Sequence, residues 1–394
     1  MTVPEPRWAP LPAHSLAASA PWLFGDGGPV PPERLAAPAR ALAAVGGTRP
    51  GERLDTRYAR RDRVLAAVFE AVRVRRPAGE RRGAHRVSPT RRALFGADLH
   101  VCAADGRSWW VDPEGLVLRG EGVVAPELSA ATVTVHPDRL LPAYGSLRGP
   151  LALLEAGHLA ATLALTAWRA GLSPQVVVGV DGACVLRVDL RDDDPEGDGA
   201  VGRLDSCTAP PADTLASWLD RRSSGWPAPG PVARDQVDGA GRGAVAGAIV
   251  AALEALRDVV PQDDALRVYE QRLADGWGAA TDLQRVDRSG PVVRVDGATG
   301  FPASSGVTLT ARYDAWLDAY GSDASTVLHA TVGWLTQWGC LAAAAHRVTS
   351  RPVRPADATE WGRVLGLPAA HVPVHQLWLR SWPDDDAAPE ELGR

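Results

Sequence analysis

Arginine carries every basic charge in this chain: there are 42 basic residues, with no lysine and no asparagine. A Schiff base, a lysine general base and an asparagine amide are thereby excluded, and anion recognition falls to forked guanidinium groups. The densest set is Arg221-Arg222-Ser223-Ser224, after a helix expected at 213–219. Two arginines with serines suit a phosphate; they also suit a solvated helix end whose cations face the negative dipole. Ser88, Thr90, Arg91 and Arg92 are a second anion-binding candidate, or a basic loop meeting an acidic surface such as Asp263 and Asp264. Tyr144 could accept a proton if Arg148 lowered its pKa, or could be a structural tyrosine before a long helix. Glu155 and His158 stand i,i+3 on one helix face, as a buried hydrogen-bonded pair or a catalytic one. His371 and His375 lack further ligands, so no metal is expected. Cys102, Cys184, Cys207 and Cys340 form no CxxC pair and read as reduced, buried thiols. The glycine run 239–247 has no apolar strand before it, so a dinucleotide loop is rejected.

The elements that must position these groups follow from periodicity. A helix is expected over 55–74, with Leu54, Val64, Leu65, Val68, Phe69 and Val72 forming its apolar face. Strands are expected at 97–104, 108–112, 115–119, 132–135 and 176–180, with Asp105-Gly106 as a hairpin turn. Residues 151–172 read as a helix apolar nearly all round, hence buried. Glu155, His158 and Arg169 interrupt it, and no secretory signal is expected, so the reading is a cytoplasmic protein without a membrane span. A net charge of −5 with no dominant basic stretch argues against nucleic acid as the partner.

The chain also repeats itself. Residues 132–146 align without gaps on 308–322, at an offset of 176, with eight of 15 positions identical, including Ala-Tyr-Gly-Ser at 143–146 and 319–322. The same offset places Gly157 on Gly333, Leu165 on Leu341 and Ala167 on Ala343. Upstream, 89–94 is matched to 261–266 and 104–106 to 274–276. The expected organisation is an N-terminal arm (1–50), a first repeat (51–190), an acidic, proline-containing linker (191–212), a second repeat (213–382) and an acidic tail (383–394). Two copies of one α+β unit would pack through the helices at 151–172 and 325–345 as an intrachain pseudo-dimer.

The run Ala143-Tyr-Gly-Ser-Leu-Arg-Gly-Pro-Leu-Ala-Leu-Leu-Glu-Ala-Gly-His158 resembles a segment of the SagB-type azoline dehydrogenases, which are nitroreductase-like flavoproteins. Ser88–Leu94 falls where that family has a Pro-Ser-glycine loop, Val178-Gly179-Val180-Asp181 where it has Gly-Gly-Phe-Asp, and Arg221-Arg222-Ser223 where a unit opens. The resemblance implies two tandem nitroreductase-like units, each with an antiparallel-dominated sheet flanked by helices, and FMN at the interface. It implies oxidation of thiazoline or oxazoline rings to azoles in a ribosomally made precursor peptide, as in thiopeptide pathways, with a cyclodehydratase or other pathway enzymes as partners. On this reading Tyr144 is catalytic, and Arg221, Arg222, Ser223, Ser88, Thr90, Arg91, Val178 and Gly179 hold the flavin. The chain departs from the family at Ala143, where a lysine is common, and at Arg91 and Arg92, where glycines are common. A flavin-free paralogue that docks pathway partners is the alternative.

Overall fold

In the computed structural model the described residues are 51–53, 63–76, 85–89, 95–103, 105–113, 117–120, 128–170, 172–181, 184–192, 237, 239–256, 259–261, 264–273, 280–288, 291–296, 305–353 and 371–381. They fall into two compact units. Unit 1 runs through Arg203 and takes in Ser322–Gln337; unit 2 holds Leu204–Gly321 and the chain from Trp338 on.

Unit 1 is a seven-stranded sheet in the order β1-β6-β5-β4-β7-β9-β8. Its strands are β1 (Gly51–Arg53), β4 (Ala97–Ala103), β5 (Ser108–Asp112), β6 (Val117–Arg119), β7 (Leu128–Val135), β8 (Leu172–Asp181) and β9 (Cys184–Asp192). A short pair, β2 (Val74–Arg76) and β3 (His85–Arg86), stands apart. Burial alternates along β4, so Leu99 and Val101 face the core while Asp98, His100 and Cys102 face the other side. Helices α1 (Arg63–Val72) and α2 (Arg148–Arg169) cover the core face. Val64, Leu65, Val68, Phe69 and Val72 of α1 are buried, as the spacing demands, and Thr166 of α2 donates to the Ala67 carbonyl at 2.8 Å. The segment Tyr144–Ala167 is long and apolar enough to cross a membrane by composition, yet its most apolar 18-residue stretch is buried in the fold.

Unit 2 is a six-stranded sheet in the order β12-β11-β10-β13-β15-β14. The strands are β10 (Leu266–Leu273), β11 (Ala280–Arg285), β12 (Val292–Asp296), β13 (Ser305–Arg312), β14 (Val348–Val353) and β15 (His371–Ser381). Its helices are α3 (Gly239–Ala255), α4 (Tyr313–Tyr320) and part of α5 (Ala324–Ala345). The glycine run at 239–247 is therefore the start of a helix.

Strand for strand, the two sheets have one topology: β6-β5-β4-β7-β9-β8 matches β12-β11-β10-β13-β15-β14, antiparallel throughout. Finer features repeat as well. Helix α5 spans the residues that α2 spans, moved by 176. A β-bulge lies between Val133 and Thr134 where β7 meets β9, and another between Leu309 and Thr310 where β13 meets β15, again 176 apart. A bulge is a single inserted residue inherited with the strand, so its recurrence is independent of side-chain identity. Gly145 (φ 50°, ψ −129°) and Gly321 (φ 54°, ψ −124°) share a backbone conformation closed to residues with a Cβ, which explains why both Ala-Tyr-Gly-Ser runs keep glycine.

Within unit 1 the two long helices touch reciprocally. A Cβ on Gly157 would lie 2.1 Å from the Ala330 carbonyl oxygen; one on Gly333 would lie 2.2 Å from that of Leu154. Residues 154 and 157 become 330 and 333 at the repeat offset, so the contact is isologous. Gln337 Nε2 donates to Thr162 Oγ1 at 3.0 Å in the same contact.

One detail of the repeat alignment is corrected. Ala97 pairs with Val135 and Leu266 with Ala311, so Leu266 is the counterpart of Ala97, three residues beyond Leu94. Strand β9 was also missed: Cys184–Asp192 is paired along its length, and the linker cannot begin at Arg191.

Candidate functional site

The loop opened by Ser88 is held at both described ends. Ser88 is buried, and so is Phe95, where the chain returns to β4; Thr90, Arg91 and Arg92 lie outside the described residues. Phe95 has φ 48°, a left-handed conformation that costs a non-glycine residue on the order of 1 kcal/mol. The surroundings hold it there. The Arg86 guanidinium lies over its ring, 3.6 Å from the centroid. The Gly96 N–H donates to Glu155 Oε2 at 2.6 Å, and the Gly96 carbonyl accepts from His136 N–H at 2.7 Å. Glu155, read from its spacing as a partner for His158, thus reaches 59 residues back to fix the loop.

Beside this turn sits a charge cluster. Arg139 forks onto Asp98 at 2.7 and 2.6 Å, and His136 Nε2 lies 3.2 Å from the same carboxylate and 3.3 Å from Thr134 Oγ1. Burial alone would raise the Asp98 pKa; hydrogen bonds from His136 and Arg139, with their charges, reverse that and hold the carboxyl well below its usual range. Burial pushes His100, on the same face of β4, below its ordinary pKa, with Asp98 pulling partly back.

Strand register brings Val178 and Gly179 to the same end of the sheet. Asp98 pairs with Thr134, Thr134 with Cys184, and Cys184 with Asp181. That row crosses four strands, about 14 Å. The β8–β9 ladder breaks between Val178 and Asp181, leaving Gly179 in the irregular stretch. The structure therefore sets Phe95, Gly96, Asp98 and His136 at one sheet end, with Val178-Gly179 along the same end on the far strand. Of these, only Val178 and Gly179 were singled out for the flavin. Asp98, His136 and Arg139 were missed because their pairing spans about 40 residues and leaves no local pattern; the one hint was that His136 and Arg139 lie inside the repeated segment.

Tyr144 is 8% exposed and lies within the apolar core of unit 1. Arg148 Nε donates to the Gly145 carbonyl at 3.3 Å. The counterpart Tyr320 donates its hydroxyl to the Val259 carbonyl. Arg221, Arg222 and Ser223 lie outside the described residues.

In unit 2 the corresponding end is neutralised internally. Arg267 stands where unit 1 has Asp98, as the pairing of Arg267 with Thr310 and Asp98 with Thr134 shows. Asp264 takes Arg267 Nε at 3.0 Å and Arg285 at 2.9 Å, and Arg285 also holds Asp287 at 2.7 Å. The hydrogen bond from Arg267, above all, brings the Asp264 pKa down to about 2. The described partners of Asp264 lie within its own unit, and Arg91 and Arg92 lie outside the described residues. Trp316 Nε1 donates to the Ala265 carbonyl at 3.1 Å. His371 donates Nε2–H to the Asp264 carbonyl at 3.1 Å, and burial takes its pKa down to about 4. No group of three potential metal ligands occurs among the described residues.

No protein-family model matches the chain, and no curated protein matches it. Among solved structures, it is similar to a protein from Anabaena variabilis ATCC 29413 provisionally named a nitroreductase: 13% identity, TM-score 0.58, with 84% of this chain and 90% of that one covered. A second such protein, from Ralstonia eutropha JMP134, matches at 16% identity and TM-score 0.28 over 43% of this chain and 85% of that one. The first likeness is too long to fit within either unit, and it shows that this α+β chain has a nitroreductase-like fold.

Proposed function

We propose that the nitroreductase-like fold of this chain serves a flavin-dependent oxidoreductase, an azoline dehydrogenase acting on a ribosomally made peptide. The observation that carries the reading is the fold itself, matched over 84% of the chain; the Leu-Leu-Glu-Ala-Gly-His run supports the substrate class. Bound FMN would supply hydride-accepting chemistry toward one carbon of the azoline ring, with molecular oxygen as the final oxidant. A proton leaves the neighbouring carbon, and the ring gains a double bond.

The described residues fit a flavin unequally. At the unit 1 sheet end, Glu155 holds Gly96, and Gly179 is a glycine where the β8–β9 ladder is irregular, suited to close approach of a flat ring. The unit 2 end does not fit a phosphate: Asp264 is anionic and already engages Arg267 and Arg285. We therefore propose one functional flavin site per chain, with Arg221, Arg222 and Ser223 as phosphate donors. The two repeats are proposed to be the fused halves of an ancestral dimer, which the reciprocal Gly157 and Gly333 contacts support. Tyr144 is the proposed proton acceptor, and its burial sets the test. Slowed turnover in Tyr144→Phe with FMN retained supports proton transfer; unchanged turnover with lowered stability assigns it to packing.

The experiment is reconstitution of the full chain with FMN and a thiazoline-bearing peptide. The protein should turn yellow, and the peptide should lose two hydrogens as oxygen becomes hydrogen peroxide. A chain that takes up no FMN refutes the reading. The internal neutralisation of Asp264 favours one second reading, a flavin-free protein that docks pathway enzymes, and that outcome would select it.

A further inference from the structure

Among the described residues, the large apolar side chains left exposed are Val177 (44%) and Val292 (54%), and each lies on the outermost strand of its sheet. An outermost strand presents unpaired main-chain donors and acceptors, and proteins usually blunt such edges with charge, proline or shortness. Of the four outermost strands of the two large sheets, three are blunted. Strand β14 carries Arg351 and Pro352. Strand β12 carries Arg294, whose side chain is 63% exposed and pairs with Asp282 on β11. Strand β1 has three residues, two of them charged.

Strand β8 differs. It has no charged residue from Leu172 to Val180, and Pro174 confines the open stretch to 175–180, Gln-Val-Val-Val-Gly-Val. Register places Val176 and Val177 of β8 where β14 has Pro352 and Val353, because Val176 lies opposite Val188 and Pro352 opposite Leu377 in matching ladders. One repeat thus carries proline where the other keeps a β-branched edge that no described strand pairs.

The geometry points to the β8 edge as the docking site for the peptide substrate, bound as an added strand. The inference rests on the proposed azoline chemistry for the identity of its occupant. An azoline peptide is a chain of former serine, threonine or cysteine residues, uncharged at those positions and held extended by its rings. Its remaining amides match an edge that offers main-chain pairing and no charge. The strand also leads to the right place: it runs from 175 directly into Val178-Gly179, at the end of the sheet where the loop from Ser88 returns. A segment paired along β8 would deliver its next ring to the Val178-Gly179 end of the sheet.

The test uses the full chain and a fluorescein-labelled peptide of about ten residues alternating serine and valine, long enough to span a strand, read by fluorescence anisotropy. The same peptide with alternate amides N-methylated should bind at least roughly tenfold more weakly, and so should the unmodified peptide to Val177→Lys, which charges the edge as natural edges are charged. Val177→Thr keeps the β-branch and should bind like the parent. Circular dichroism should be unchanged in both variants, because the position is exposed. Equal binding of plain and methylated peptides, or full binding to Val177→Lys, overturns the proposal. So does light scattering that finds a dimer broken by Val177→Lys, since a second copy would then own the edge. Slow hydrogen exchange at all amides of Val176–Gly179 in the free chain overturns it too, because the edge would already be covered. Peptide that docks on β8 but keeps its hydrogens in the reconstituted reaction refutes the oxidation and leaves the docking site standing.

Discussion

Replacing Gly157 with alanine should destabilise unit 1 more than any single methyl group added elsewhere in α2. The new Cβ would sit 2.1 Å from the Ala330 oxygen, 2.6 Å from the Trp334 nitrogen and 2.9 Å from the Gly333 carbonyl carbon. All three are helix backbone, which cannot swing aside as a side-chain end can, so the helices must part by about 1 Å at the crossing. Overpacking of this kind costs about 1–3 kcal/mol, with rigid surroundings at the upper end. Alanine returns up to about 1 kcal/mol of helix propensity, leaving a net loss of about 2 kcal/mol. For a unit of this size that lowers the melting temperature by about 4–8 °C. Guanidinium unfolding, followed by tryptophan fluorescence and circular dichroism, measures it. Gly247→Ala is the control: that glycine lies in α3 with nothing within 4 Å of an added Cβ. It should gain about 0.5–1 kcal/mol. The isologous contact adds a sharper requirement. Once Gly157→Ala has parted the helices, Gly333→Ala meets room already made, so the double variant should lose less than the sum of the singles. A Gly157→Ala protein as stable as the parent, or strictly additive singles, would refute the crossing.

Glu155→Ala strands the buried Gly96 N–H and should cost about 1–3 kcal/mol, whereas Glu155→Gln keeps an acceptor oxygen and should recover most of it; chemical denaturation of both variants decides. Stability should fall as pH drops from 6.5 to about 4, because the unfolded chain protonates His371 at its ordinary value while the folded chain resists until about 4. His371→Gln should flatten that part of a plot of denaturation midpoint against pH. The further loss below about pH 4, where the depressed carboxyls of Asp98 and Asp264 lose their ion pairs, should remain. Arg222→Ala should weaken FMN binding about ten- to a hundredfold, as expected for one charge-assisted phosphate contact; full occupancy at limiting FMN in both Arg221→Ala and Arg222→Ala would remove these residues from the site.

Local pattern carried the scaffold a long way. The apolar spacing from Val64 to Val72 gives α1, the alternation from Ala97 gives β4, and the gapless match of 132–146 on 308–322 foreshadows two helices of equal length and two bulges at one position. Pattern failed where partners are remote. Strand β9 is an exception, for the alternation of Leu186, Val188 and Leu190 with Arg187, Asp189 and Arg191 is legible in the sequence and was passed over beside the acidic loop. Glu155 also accepts from Gly96, a partner 59 residues away that no local spacing announces. Arg267 looks interchangeable with any surface arginine until register places it opposite Thr310, where unit 1 has an aspartate. Opposite charges at equivalent positions cannot be read from similarity, since similarity scoring treats them as noise.

The assignment of Ser322–Gln337 to unit 1 bears on how the molecule is made. A ribosome that has emitted everything through Arg203 has delivered all seven strands of the first sheet but not the helix that seats against Gly157. At about 5–20 residues per second, the missing segment follows several seconds later. Through that interval the Gly157 face of α2 stays uncovered in the nascent chain, a period when chaperone binding would matter most. A stop codon placed at the apparent boundary should therefore yield a fragment that aggregates, while co-expression of the missing piece in trans should return it to solution.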